Sequence, residues 1–291
     1  DGKLYGMPAS GDTAVGLLYN KKLFDENNVK VPSNTAELYE ACEVFKEKGI
    51  TPVYASDKDT WTTQVWFTGA APPVVPEETF AKLMSGELKW TDVPEFEDVI
   101  AKMGELREKG YTNADFMAAT YDSAQAAMAN GEAAMYVSGQ FAIGDIQKIN
   151  PDVDIRMAVL PYEKDILAVS KGPGQFSIFK NSKNAKAAEK FLDWMSQPEH
   201  MDIFLAGWGE YPLFKDQKME LPAWQQELND GYMTTGNTAV ETNSLLTGID
   251  LNDFWSYQQE MLTGSITAKE VMEKWDVSFA DQAKAKGMEG F

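Results

Sequence analysis

Apolar positions along the chain alternate between short runs and helical stripes. Lys3 to Pro8 and Ala14 to Tyr19 are brief apolar runs separated by Ala9-Ser10-Gly11-Asp12, which predicts two strands with a tight polar joint. Asn34 stands three residues before Glu37, a capping-box spacing, and Leu38, Ala41, Cys42 and Phe45 then recur at helical intervals until Lys48-Gly49. Cys42 falls on the buried face and reads as a small inert hydrophobe. Ile50 to Ala55 reads as a strand, and Ser56 to Thr60 as the loop leading into a helical run with Trp61, Trp66 and Phe67, which Pro72-Pro73 should end. Phe96, Val99, Ile100, Met103 and Leu106 make one stripe of an amphipathic helix stopped at Lys109-Gly110.

The second half repeats the alternation. Tyr121-Asp122 precedes a helix through Ala124, Ala127 and Met128 that stops at Asn130-Gly131; Ala133 to Val137 is a strand, and Ser138-Gly139-Gln140-Phe141 turns into another helix. Ile155 to Leu160 and Gln175 to Phe179 supply further strands, before a helix on which Ala188, Phe191, Leu192 and Met195 share a face. From about Pro222 the pattern is mostly helical, with Phe254-Trp255 near one helix start and Val271 and Trp275 near the end. Strands interleaved with helices indicate an α/β architecture.

Charge and rare residues narrow the chemistry. The 291 residues carry 26 Lys+Arg against 45 Asp+Glu, a net charge of −19, so nucleic acid and anionic membrane surfaces are disfavoured partners. The length permits two lobes, since domains run to roughly 100–200 residues. One cysteine and one histidine remove disulfides, CxxC pairs and histidine-based metal or acid/base sites. His200, after Ser196 and Pro198, reads as a surface helix residue with Ser196 as its cap. No apolar run approaches the ~20 residues that a membrane-spanning helix needs.

In open α/β sheets ligands gather beyond strand carboxyl ends. Asp12, Trp61, Gln140, Phe141 and the segment Gly172 to Gln175 all occupy such positions. Trp61, Trp208, Tyr211 and Trp255 stand beside turn residues, where an indole or phenol face can lie on a pyranose ring, whereas Trp66, Trp194 and Trp275 keep helical spacing with apolar neighbours and read as core. A glycosidase-like carboxylate pair remains open as an alternative, although the sequence singles out no pair.

The order of several segments carries a resemblance. DGKLYGMP at 1–8, LLYNKKLFDENNV at 17–29, the P-x-x-T of Pro32 to Thr35 and AQAAMANGEAAMYVSGQFA at 124–142 resemble the extracellular solute-binding proteins of ABC sugar importers, the relatives of maltose-binding protein. VLPY at 159–162, GPGQFSIFKNSKNAKAAEKFLDWMSQPE at 172–199 and DFWSYQQEMLTG at 253–264 continue it. The resemblance implies a two-lobe α/β fold of the type II periplasmic-binding-protein kind with hinge crossovers. It places residues 1–11 in an N-terminal lobe strand and first hinge, 12–168 in the C-terminal lobe, 169–215 back in the N-terminal lobe and 216–291 in C-terminal lobe helices. Relatives carry a signal and further strand and helix units ahead of the DGKLYG segment, so the N-terminal lobe is expected to be incomplete, leaving the helix with Phe191 and Leu192 partly uncovered.

The resemblance further implies reversible capture of a mono- or oligosaccharide, delivery to membrane permease subunits, no catalysis, no cofactor or metal, and an extracytoplasmic setting, periplasmic or as a cell-surface lipoprotein. Its ligand residues map to Asp12, Trp61, Gln140, Phe141, Gln175, Tyr211 and Trp255; Phe141 stands where relatives commonly have Trp after a proline, here Gln140. Ala36 likewise stands where relatives often have Trp. A glycoside-active enzyme, and a same-fold binder of a polyamine or peptide, are the competing readings.

Overall fold

The computed structural model describes residues 5–171 and 174–291; the opening of the expected first strand, residues 1–4, and Gly172-Pro173 lie outside the described residues. The strands are β1 (Met7–Pro8), β2 (Thr13–Asn20), β3 (Thr51–Tyr54), β4 (Ala133–Gly139), β5 (Ile155–Ala158), β6 (Leu167–Ser170), β7 (Gln175–Phe176) and β8 (Thr238–Val240). One sheet runs β3-β4-β2-β6-β8, with β5 paired to the far half of β2. β2 is antiparallel to β4 and β6, while β3 runs parallel to β4 and β8 parallel to β6. The carboxyl ends of β3, β4, β6 and β8 and the amino end of β2 therefore meet along one edge.

Alternation along β2 sets the two layers. Leu17 enters one core and Leu18 the other, as successive strand side chains must. The first core is ring-rich: Phe67 of the Thr60–Val74 helix packs edge-on against Phe254 at 4.9 Å, and Trp90 lies 4.8 Å from Phe96 and 5.9 Å from Trp275. The opposite face is covered by the Tyr121–Asn130 and Phe141–Ile149 helices through Ala124, Met128, Ile143 and Ile146. Helices on both faces of a mixed sheet confirm the α/β class.

A smaller body stands beyond the sheet edge. β1 pairs antiparallel with β7, Met7 opposite Phe176, and the Ala185–Met195 and Pro198–Trp208 helices bury Met7, Met195, Met201 and Leu205 together. Three stretches join it to the large sheet: the chain between β1 and β2, the chain between β6 and β7, and the chain between Met219, which still packs on this body, and the Ala223–Leu228 helix.

Several local expectations change. Pro72 and Pro73 do not end their helix, which runs to Val74. They fall in its last turn, where the missing donors are few, and Val75 N still bonds to Ala71 O at 2.9 Å. The expected Gln175–Phe179 strand is only two residues long, because its partner β1 offers only Met7 and Pro8. β8 interrupts the region expected to be mostly helical. Trp194 is 54% exposed instead of core, stacked on His200 at 4.0 Å. The helix bearing His200 starts at Pro198, with Gln197 rather than Ser196 at its cap. At the Thr35–Glu47 helix Asn34 caps Glu37 N at 3.0 Å, but the Glu37 carboxylate turns to Ser33 N at 2.9 Å.

Candidate ligand cleft

Three helices begin along the crowded sheet edge, and each presents a ring in its first turn. Trp61 opens the Thr60–Val74 helix after β3, Phe141 the helix after β4, and Tyr121 the helix between them in sequence. Trp61 lies 5.1 Å from Tyr121 and 6.3 Å from Phe141, and Tyr121 lies 6.3 Å from Phe141, all at tilted angles. All three are half-buried, so each keeps part of its surface open to solvent.

The local sequence dictates this meeting. Asp59 precedes the Trp61 helix, but its carboxylate accepts from Tyr121 N at 2.7 Å, so one residue fixes two helix starts against each other. A Cβ at Gly139 would fall 2.2 Å from Cε1 of Phe141, so glycine is required for the ring to fold back over the strand end. Tyr121 Oη donates to Asp145 at 3.1 Å, and Lys148 pairs with the same carboxylate at 2.8 Å. Burial first, and then Asp145, push the Tyr121 phenol far above its usual range, which keeps it a proton donor. Phe141, Gly144, Asp145 and Lys148 face Gly207 and Trp208 of the smaller body across a recess of about 300 Å³.

A second group sits nearer the crossovers. Asp12 and Lys171 form an ion pair between two of the joining stretches. Together with Gly11, Tyr211 and Asn229 they line a recess of about 390 Å³. Tyr211 is 9% exposed and its hydroxyl donates to Gln225 O at 3.3 Å. Glu210, beside it, is buried; Thr13 Oγ1 donates to its Oε1 at 3.4 Å, and burial raises its pKa.

Of the seven residues expected from the sequence, the structure brings Trp61 beside Phe141 and Asp12 into a recess with Tyr211; Tyr121 was not among them. Its signals were an aromatic at the first helical position and Thr120 three before Ser123, which forms a capping box. Gln140 is corrected: it is wholly buried, its Oε1 accepts from Ala14 N and its Nε2 donates to Gly209 O, both at 3.0 Å, so both amide atoms are engaged within the protein. Gln175 is exposed on β7, with its side chain against Gly6, and joins neither group. Trp255 is half-buried against the ring-rich core, one helical turn before Gln259, which donates to Asp57 O; its ring is not part of the cluster.

Below the cleft, Asp57 is 6% exposed and accepts from Thr63 at 3.1 Å; burial pushes its carboxyl up to about 6. Among the described residues there is no group of three or more His, Cys, Asp and Glu arranged to hold a metal.

Comparison with known proteins fits this architecture. The sequence matches the bacterial extracellular solute-binding protein family over residues 1–202. The chain belongs to that family. It is 28% identical over 211 residues to the multiple sugar-binding protein of Streptococcus mutans, an alignment covering 69% of this chain and 49% of that protein. It spans about half the length of the curated relatives it matches first. A chitin oligosaccharide binding protein superposes with a TM-score of 0.83 at 22% identity, over 98% of this chain and 73% of that one. A sugar transporter protein from Bacillus licheniformis, solved in complex with stachyose, superposes with a TM-score of 0.77 at 20% identity, over 97% and 74%. These superpositions identify the type II solute-binding fold. The family is one of binding proteins and is extracellular.

Proposed function

We infer that this chain contributes the ring-bearing wall and hinge of an extracytoplasmic receptor that captures a saccharide and hands it to the permease of an ABC importer. The observation that carries the reading is the Trp61-Tyr121-Phe141 cluster: three rings converge from three helix starts on the edge where the two bodies face each other. Flat rings offer faces to sugar C–H groups, while Asp145, Lys148, Asp12 and Lys171 offer directional partners to hydroxyls. A saccharide hydroxyl that lost water without gaining a partner costs roughly 1–3 kcal/mol, which gives such a cleft its selectivity. Closure of one body on the other would exclude that water and change the surface presented to a permease.

The net charge of −19 fits a neutral ligand better than a polyanionic one. The sugar-binding names of the relatives support the same class, and the family's extracellular description supports a place outside the cytoplasm. The cleft binds without bond cleavage. The test is calorimetry and thermal shift of the protein against raffinose, stachyose, chitin and xylan oligosaccharides, with product analysis on the same samples. Binding with intact sugar is expected; no shift with any saccharide, or release of reducing ends, overturns it.

A further inference from the structure

Gly209 is a point at which the smaller body touches the larger one. It ends the Pro198–Trp208 helix in the left-handed conformation, φ 70°, and its carbonyl accepts from two buried amides, Gln140 Nε2 at 3.0 Å and Gln225 Nε2 at 3.1 Å. Both glutamines belong to the larger body and are 0% and 1% exposed. The two differ in what else they hold. Gln140 also accepts from Ala14 N at 3.0 Å and sends its own backbone N–H to Ala14 O at 2.9 Å. Ala14 is the second residue of β2, just past the first crossover, and Phe141 of the ring cluster is the next residue after Gln140. One side chain therefore joins the smaller body and the start of β2 to the ring wall.

We propose that Gln140 is a positioning residue that couples displacement of the smaller body, felt at the Gly209 carbonyl, to the Phe141 ring, so that this displacement and seating of a saccharide on the rings are one event. Left-handed Gly209 ends its helix and the two amides anchor its carbonyl on the larger body. Any rotation that displaces that carbonyl pulls on Gln140, and through it on the first turn of the Phe141 helix. Gln225 anchors the same carbonyl without touching the ring wall, which makes it the internal comparison. The ligand half of this proposal rests on the saccharide reading; the mechanical half does not.

The test compares Gln140→Met, Gln140→Glu and Gln225→Met in the full chain. Amide hydrogen exchange without ligand comes first, with equal far-ultraviolet spectra confirming folding. Gln140→Met is expected to speed exchange about tenfold at Ala14, at residues 141–144 and at 207–211, whereas Gln225→Met speeds it only at 207–211. Gln140→Glu provides the readout that a space-filling role would not move. Its protonated carboxyl can reproduce both bonds, so it should match the wild type near pH ~5; as it ionises towards pH ~9 it keeps the acceptor for Ala14 N and loses the donor to Gly209 O, so exchange should speed at 141–144 and 207–211 but not at Ala14. The ligand arm uses raffinose: Gln140→Met should lose about tenfold in affinity and Gln225→Met less than about threefold. Unchanged exchange at 141–144 in Gln140→Met, or equal effects of the two methionine variants, overturns the proposal. A wild type that binds no saccharide overturns the functional reading and leaves the exchange result to decide the coupling.

Discussion

Trp61 leans on Tyr121 with ring centroids 5.1 Å apart and planes at 57°, and the two residues are held in that attitude by a third, Asp59, whose carboxylate binds Tyr121 N at 2.7 Å. The wall of the cleft is thus organised by the backbone of helix starts, and the rings have little freedom to collapse inward. A wall fixed before ligand arrives loses little side-chain entropy on binding.

Trp61→Ala is accordingly expected to weaken saccharide binding by about 1–2 kcal/mol, roughly 5- to 30-fold, by removing one face of the wall. Tyr121→Phe should cost less, about 1 kcal/mol, since it removes only the bond to Asp145 and leaves the ring. Trp194→Ala, on the outer surface of the smaller body, should leave affinity unchanged. Calorimetry with one saccharide across the three variants checks the order, and equal losses for Trp61 and Trp194 would contradict it.

Asp57 predicts a particular pH dependence of stability. Burial holds its native carboxyl at about 6, against ~3.9 in an unfolded chain. The native state therefore binds the proton more tightly, and this residue's contribution falls as pH rises through that window and stays low above it. Asp57→Asn keeps an acceptor for Thr63 and removes the buried charge. The variant should gain on the order of 2–3 kcal/mol over the wild type at neutral pH, and the gain should vanish below pH ~4. Urea midpoints of both proteins across that range test it; parallel profiles would exclude the assignment.

Some of this was legible in the sequence for a physical reason. Elements with one buried face write their period into the chain, so the Thr35–Glu47 and Pro94–Glu108 helices were readable from Leu38, Ala41, Phe45 and from Phe96, Val99, Ile100. Trp61 stood out because an aromatic beside a turn does not fit a core stripe, and Phe141 because it follows the carboxyl end of a strand. Gln140 stood out equally but was misjudged, since position beside a turn does not say whether a side chain points out or in. Its partner Gly209 lies 69 residues away. Trp194 failed the other way: its stripe is apolar, yet 54% of it is exposed. Periodicity marks an apolar face, not what covers that face.

Cys42 should be silent to thiol reagents in the native protein. It is wholly buried, and desolvation pushes its pKa up to about 12. The thiolate is the reactive form, so at neutral pH both access and ionisation oppose attack. Modification by a maleimide should be negligible when folded and complete in strong denaturant. Fast labelling of the native protein would mean that the Thr35–Glu47 helix opens readily.

The outer face of the smaller body predicts association. Phe191 and Trp194 are each 54% exposed and lie 6.0 Å apart, while Ile203 on the neighbouring helix is 75% exposed. Large side chains on two adjacent helices lie open to solvent on a body whose fully buried core, among the described residues, is Met7, Met195, Met201 and Leu205, with Phe176, Leu192, Phe204 and others half-buried around it. Exposed apolar surface of that kind marks a contact face. The 291-residue chain should therefore sediment with a concentration-dependent increase in mass. Phe191→Ser combined with Ile203→Glu should reduce that increase while leaving the melting of the larger body intact, because neither residue touches its two cores. A wild-type chain that stays monomeric at every concentration, or a double variant that associates as before, would place the contact elsewhere.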